Sequence, residues 1–210
     1  MTRAETKERN RRALLDAAFR VISRDGHRAK LEEIAERADL TTGAVYSLFG
    51  SKTGLVVAVV ADHLQPHYEE IDQAIPADVG LLEAVDAFAR YYRRSCDAPD
   101  ALSGLSLQIT LLDMALHDPE LSSQLAASVR AQESHLIALF TGRSYDGKVV
   151  TSHQAQRLVT ALRALFIGLS QGIALGLAPS ADEQYFADAA RALVSGSALT
   201  DQEHPAPRSL

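Results

Sequence analysis

A chain of 210 residues with 47% apolar content can bury one compact core or a small and a larger one, and its net charge of −6 disfavours a polyanion partner for the chain as a whole. Its longest apolar run, residues 165–178, is broken by Ser170 and Gln171 and is too short for a bilayer-crossing helix, so no membrane partner is expected. The charged start MTRAETKERNRR lacks the apolar stretch of a secretory leader and the lone Cys96 can form no intramolecular disulfide, which together predict a cytoplasmic protein.

The charge is unevenly placed. Residues 1–52 hold 11 Lys/Arg against 8 Asp/Glu, a net +3, and the remainder hold 10 against 19, a net −9. A basic end on an acidic chain is a nucleic-acid candidate; the plainer reading is a solvated basic helix face. In that end Leu14, Leu15, Ala18, Phe19 and Ile22 repeat at helical spacing, and Gly26 predicts a stop near Arg24. Leu31, Ile34, Ala35 and Ala38, at i, i+3, i+4 and i+7, predict a short second helix to about Ala38. Thr41 caps a third, TGAVYSLF, and Ser51 caps a fourth that carries Leu55, Val56, Val59 and Val60 and is kinked or ended by Pro66.

GLLEAVDAFARYYRRS and ALSGLSLQITLLDMAL read as helices five and six, separated by CDAPD. Helix starts follow at Asp118 before Pro119, at Thr151 with Gln154 three residues on, and at Ser180 with Glu183 three residues on, giving helices seven to nine. Residues 141–151 are expected as a long polar loop, and no run of alternating β-branched residues announces a strand. The fold class is all-α with about nine helices.

Within helix eight, GLSQG at 168–172 matches the G-x-S-x-G pattern that holds the nucleophile of many hydrolases. That elbow needs a strand before the serine, and Ser170 lies instead inside the helical pattern of Leu158, Leu162, Leu165, Leu169 and Ile173, so no catalytic residue and no enzyme are expected. Gly168, Gly172 and Gly176, with Ala164 ahead of them, form a small-residue stripe at i+4 spacing. Helical glycines cost about 1 kcal/mol each relative to alanine, which close approach of another helix offsets, either across a subunit interface or within the chain.

Helices two and three, joined by DLTT, have the size of a helix-turn-helix, whose second member enters the DNA major groove. Thr42, Gly43, Ala44 and Ser47 are small or hydroxylated, so the backbone can approach base edges and thymine methyls. Tyr46 and Lys52 reach phosphates, and Arg9, Arg11 and Arg12 add charge for the flanking backbone. The stretch LEEIAERADLTTGAVYSLFGSKTGL, residues 31–55, closely resembles the DNA-binding motif of the TetR (tetracycline-repressor) family of transcriptional regulators. I-A-x-x-A at 34–38, T-x-G at 41–43, V-Y at 45–46, Phe49, S-K at 51–52 and Leu55 stand in that family's order and spacing. The resemblance implies that Thr41, Thr42, Gly43 and Ser47 form the DNA-facing start of the recognition helix, with Tyr46 and Lys52 on phosphate and Lys30 and Leu31 opening helix two at the DNA edge. Two positions depart from the pattern: Asp39 replaces the usual turn glycine, a mild change because aspartate tolerates a left-handed turn, and Leu48 lacks the phosphate hydrogen bond of the histidine or tyrosine often found there.

The resemblance also implies an N-terminal three-helix DNA-binding domain, residues 1–54, a helical ligand-binding and dimerisation domain, 55–200, and a flexible tail, 201–210. It implies a homodimer built from helices eight and nine, with Ala164, Gly168, Gly172 and Gly176 at the interface, a palindromic double-stranded operator, and a small-molecule effector that releases a repressor from it. No cofactor is implied. Helix six carries Leu105, Ile109, Leu112 and Leu116 on one side and Leu107 and Leu111 on another, so it is expected to be central. Tyr91, Leu105, Gln108, Ile109, Leu112, Asp113 and Gln171 are the candidate ligand contacts. His63, His67 and Glu70 resemble metal spacing, but Pro66 disturbs it and no metal is expected. The alternative is a helical carrier or enzyme with a relic DNA-binding motif, and retained DNA binding separates the two.

Overall fold

The computed structural model describes residues 2–195, without the side chains of residues 64–68 and 132; the tail expected at 201–210 and the His67 side chain lie outside this set. Helix α1 (Arg3–Asp25) opens on a reciprocal capping box, Glu5 N–H to Thr2 Oγ1 at 3.2 Å and Thr2 N–H to Glu5 Oε2 at 2.8 Å, and ends at Gly26 with φ 58°. A 3-10 turn, Gly26–Arg28, leads to α2 (Leu31–Arg37), α3 (Thr42–Phe49) and α4 (Lys52–Ala74). Helix α4 passes through Pro66 instead of ending there. Leu55, Val56 and Val59 before the proline and Ile71 after it are buried, and that packing outweighs one missing N–H donor.

The remaining helices are α5 (Leu81–Ser95), α6 (Ala101–His117), α7 (Pro119–Phe140), α8 (Ser152–Ala174) and α9 (Glu183–Ser195). Asp118 Oδ1 accepts the N–H groups of Glu120 and Leu121 at 3.0 Å each, and Thr151 with Gln154 forms a second reciprocal box. Helix α9 starts later than its sequence signal: Asp182, not Ser180, accepts the Tyr185 N–H, at 2.8 Å. The loop between α7 and α8 contains a small antiparallel hairpin, β1 (Ser144–Tyr145) on β2 (Lys148–Val149). Asp146 at φ 48° and Gly147 at φ 71° supply the two left-handed positions that a tight hairpin requires. The Asp-Gly signal is legible in the sequence, while strands of two residues are too short to show alternation.

The chain forms two compact units, one of Met1–Glu70 with Ala98–Gln132, the other of Ile71–Asp97 with Glu133–Leu210, so a boundary at 54/55 falls inside α4. The first unit buries Leu14, Ala18 and Ile22 of α1, Ile34 of α2, Val45 of α3 and Leu55, Val56 and Val59 of α4 in one cluster with Leu107, Leu111 and Met114 of α6. Helix α6 is not central as expected: Gly104, Leu107, Leu111 and Met114 face the core, while Ile109, Leu112 and Leu116 are 53%, 62% and 74% exposed. Its apolar circumference exceeds what the chain covers.

The second unit packs α5, α8 and α9 around aromatic rings. Phe166 lies 5.4 Å from Phe88 edge-on, and stacks on Tyr92 at 4.8 Å and Phe186 at 5.8 Å. Arg143, unremarked in the sequence, is buried and donates to the carbonyls of Leu139, Pro76 and Val79 at 2.7–3.0 Å. Burial lowers its pKa.

The glycine stripe on α8 is shorter than the spacing suggests. Gly176 lies past the helix end at φ 70°, where Leu177 N–H reaches Gly172 O at 2.7 Å and Gly176 N–H reaches Ile173 O at 3.0 Å, the paired bonds of a Schellman stop. Helix α8 itself is long and apolar enough to cross a membrane by length and composition, contrary to the reading of 165–178 alone, because it begins upstream at Ser152; only 22% of its apolar window is buried.

The left-handed Asp39, φ 55°, closes the turn between α2 and α3. Asp39→Val is expected to lower the unfolding free energy by about 1–2 kcal/mol and Asp39→Gly to change it by less than about 0.5, measured by urea titration.

Candidate nucleic-acid interface

Helix α3 is amphipathic over two turns. Val45 is fully buried, and Ala44, Leu48 and Phe49 pack partly against the same core. Thr41, Gly43, Tyr46 and Ser47 are left on the outside, with Tyr46 55% exposed, and Thr42 is half-buried. Thr41 is extended and its Oγ1 accepts the Ala44 N–H at 3.3 Å, so a hydroxyl both caps the helix and sits at its outer edge. The outward strip therefore combines hydroxyls, one phenol and a bare stretch of backbone at Gly43.

A Cβ on Gly43 would meet nothing closer than Thr41 Oγ1 at 3.6 Å, so internal packing does not require that glycine. Gly54 is the opposite case, and the sequence reading missed it. Its Cβ would lie 2.1 Å from the Phe49 carbonyl oxygen, so only glycine lets the first turn of α4 close on the end of α3, where the two helices turn through 68°. Arg11 of α1, its guanidinium 6.0 Å from the Phe49 ring centre, holds the same end of α3 by a cation–π contact.

The flanking residues divide into presented and anchored. Lys30 is exposed at the start of α2, whereas Leu31 is 9% exposed in the core and anchors that helix without offering a side chain outward. Lys52, at the start of α4, is half-buried and donates from Nζ to the Ala29 carbonyl at 2.5 Å, which ties α4 to the segment before α2. Arg24 bridges Asp25 and Glu33 at 2.5 and 2.6 Å, and the hydrogen bond from Arg24 holds the Asp25 carboxyl below its ordinary range.

Other sequence candidates fall elsewhere. Tyr91 and Gln171 are half-buried in the second unit, Leu105 is half-buried in the first, and Gln108, Ile109, Leu112 and Asp113 are exposed there. In the first unit a cleft of about 540 Å³ is lined by His27, Lys52, Val56, Asp113, Met114 and His117. Ala164 and Gly168 are exposed on α8, and a Cβ on Gly172 would press on Ala178 of its own chain at 3.3 Å. Ser170 is helical and its hydroxyl donates to Ile167 O at 2.9 Å, so no strand precedes it and no nucleophile elbow forms. His63 stacks on Phe19 at 5.1 Å, and no group of three or more metal-ligating side chains assembles among the described residues.

An all-α protein with this capped helix-turn-helix belongs to the class of DNA-binding helical proteins. Residues 14–59 match the model of the bacterial regulatory proteins, tetR family. No curated protein matches the chain. Many solved structures share the fold. A TetR-family member from Streptomyces coelicolor A3 is 23% identical, with 88% of this chain and 97% of that one covered and a TM-score of 0.64. FadR, a transcriptional regulator from Bacillus subtilis in complex with stearoyl-CoA, is 15% identical, with 87% and 96% covered and a TM-score of 0.63. A protein from Saccharomonospora viridis in complex with choline is also 15% identical, with 88% and 95% covered and a TM-score of 0.60. Residues 14–59 therefore carry the DNA-binding motif of the tetR family, and the chain as a whole has the fold of these regulators.

The two glycines are expected to respond oppositely to alanine. Gly54→Ala lowers stability by about 1–3 kcal/mol through overpacking against the Phe49 carbonyl, whereas Gly43→Ala raises it by up to about 1 kcal/mol through helix propensity; thermal and urea unfolding distinguish them.

Proposed function

We propose that the protein is a ligand-responsive repressor that binds a palindromic operator as a homodimer and leaves it when a small-molecule effector binds. The observation that carries the DNA part is the division of α3, with Val45 buried and Thr41, Gly43, Tyr46 and Ser47 outward. In this reading Thr41, Thr42, Gly43, Ala44 and Ser47 approach base edges, Tyr46 and Lys30 meet phosphate, and Leu31 seats α2 at the DNA edge. Lys52, held by Ala29 O, contributes charge near the backbone. The reading places the protein in the cytoplasm, where its operator is.

Dimerisation through α8 and α9 is supported by the apolar, mostly unburied α8 and by exposed Ala164, Gly168, Leu175 and Leu177. Two copies on a two-fold axis present two copies of α3, which is why the operator is palindromic. Gly172 lies on the same stripe but also packs on Ala178, and Gly176 contributes by stopping the helix. The effector is supported by relatives solved with stearoyl-CoA and with choline. Tyr91 and Gln171, half-buried in the second unit, are the candidates for its contacts.

Fluorescence anisotropy with DNA from upstream of the protein's own gene, against scrambled DNA and selected random DNA, tests the reading. Sequence preference, a log–log salt slope of about −0.9 per neutralised phosphate, and loss of affinity in Tyr46→Ala at unchanged stability are expected; equal affinity for all DNAs contradicts it. Gly168→Leu, placed where nothing lies within 4 Å of the added carbon, is expected to yield monomers by light scattering without loss of fold. Gly172→Leu also disrupts the dimer in this reading, but its clash with Ala178 makes it the poorer probe.

A further inference from the structure

Helix α6 has two apolar faces, and the dimer proposed above uses neither. The inner face, Gly104, Leu107, Leu111 and Met114, is buried in the first unit. The outer face, Leu102, Leu105, Ile109, Leu112 and Leu116, steps by 3, 4, 3 and 4, the strict heptad spacing of a coiled-coil seam. Leu105 is half-buried and the other four are 53–74% exposed. Such a row is wasteful on a free surface and is shaped for a second helix to insert its side chains between these.

We propose that this seam pairs with the same seam of a second copy, in parallel and in register, as a weak contact between copies distinct from the α8 face. The flanks favour self-pairing. Of the positions that border the seam, Ser106, Gln108, Asp113 and Ala115, only Asp113 is charged, so little repels an identical helix. In a parallel pair the position of Gln108 faces the position five residues further along the partner, which is Asp113; both side chains are exposed, and the symmetry makes the amide-to-carboxylate hydrogen bond twice. Ile109 at the central a position with Leu105 and Leu112 at d suits two strands.

The size of the seam sets its strength. A fully buried aliphatic side chain removes about 100 Å² from water, so four exposed residues on each of two copies give about 800 Å². Stable specific interfaces begin at roughly 1,200 Å², so the contact is transient between free molecules and becomes effective when copies are held together, as on neighbouring sites of one DNA. The seam therefore couples adjacent dimers.

Sedimentation velocity from low micromolar to several hundred micromolar tests this on wild type, Leu112→Lys, Gln108→Lys, Gln108→Glu and Gly168→Leu. The wild-type mass is expected to double or more across the range, because each α8 dimer carries two seams, and Leu112→Lys, at an exposed position, to keep its melting temperature and lose the rise. Gln108→Lys, which faces Asp113 of the second copy, strengthens the association severalfold, and Gln108→Glu weakens it. Gly168→Leu starts from half the wild-type mass and still doubles, which separates this contact from the α8 dimer. A wild-type mass that never doubles, a Leu112→Lys mass that doubles like wild type, or identical behaviour of the two Gln108 variants overturns the proposal. So does a seam that binds phosphatidylcholine vesicles, in a Leu112→Lys-sensitive way, without self-association.

Discussion

A helix of eight residues does not hold itself in water, where isolated helices need about 12–15 residues even with favourable sequences. Helix α3, the element on which the regulatory reading rests, exists because one side is fixed from within. Val45 is fully buried, Thr41 satisfies a free N–H at one end, and at the other the bare Gly54 allows α4 to close against the Phe49 carbonyl while Arg11 covers the Phe49 ring. The outer groups are thereby carried on a rigid support and need no ordering of their own when a partner arrives. The orientation of the outer strip thus depends on the packing of the inner one.

The same chain leaves apolar surface uncovered in two places. Helix α8 has a long apolar window of which little is buried, and α6 turns a heptad row outward while its opposite face packs in the core. A protein that works alone gains nothing from two such faces. Their presence gives an assembly reading a basis that the small-residue spacing alone lacks, and it moves Ile109 and Leu112 from the wall of a pocket to the surface of the helix.

Polar side chains, one of them buried, are used for architecture. Arg143 gathers three carbonyls, Asp118 and Thr151 cap their helices, and Arg24 gathers two acids beside α2.

Local chemistry determined much of this protein from the sequence alone. Helix starts at Thr41, Ser51 and Thr151, the apolar spacing of α1, α2 and α4, and the motif across 31–55 were readable because each depends on residues a few positions apart. Asp146-Gly147 was equally local, though the strands beside it were too short to be noticed. What needed the tertiary structure depends on residues far apart in sequence or on a choice between two apolar faces. Periodicity shows that α6 is apolar nearly all round but cannot say which side meets Leu14 and Ile22. It marks Gly176 as part of a stripe but cannot show that the backbone there has turned left-handed to end α8. It passes over Gly54 because the carbonyl that forbids a side chain there belongs to another helix. Spacing along a chain encodes which faces can be buried, and only the packing of one element on another decides which of them are.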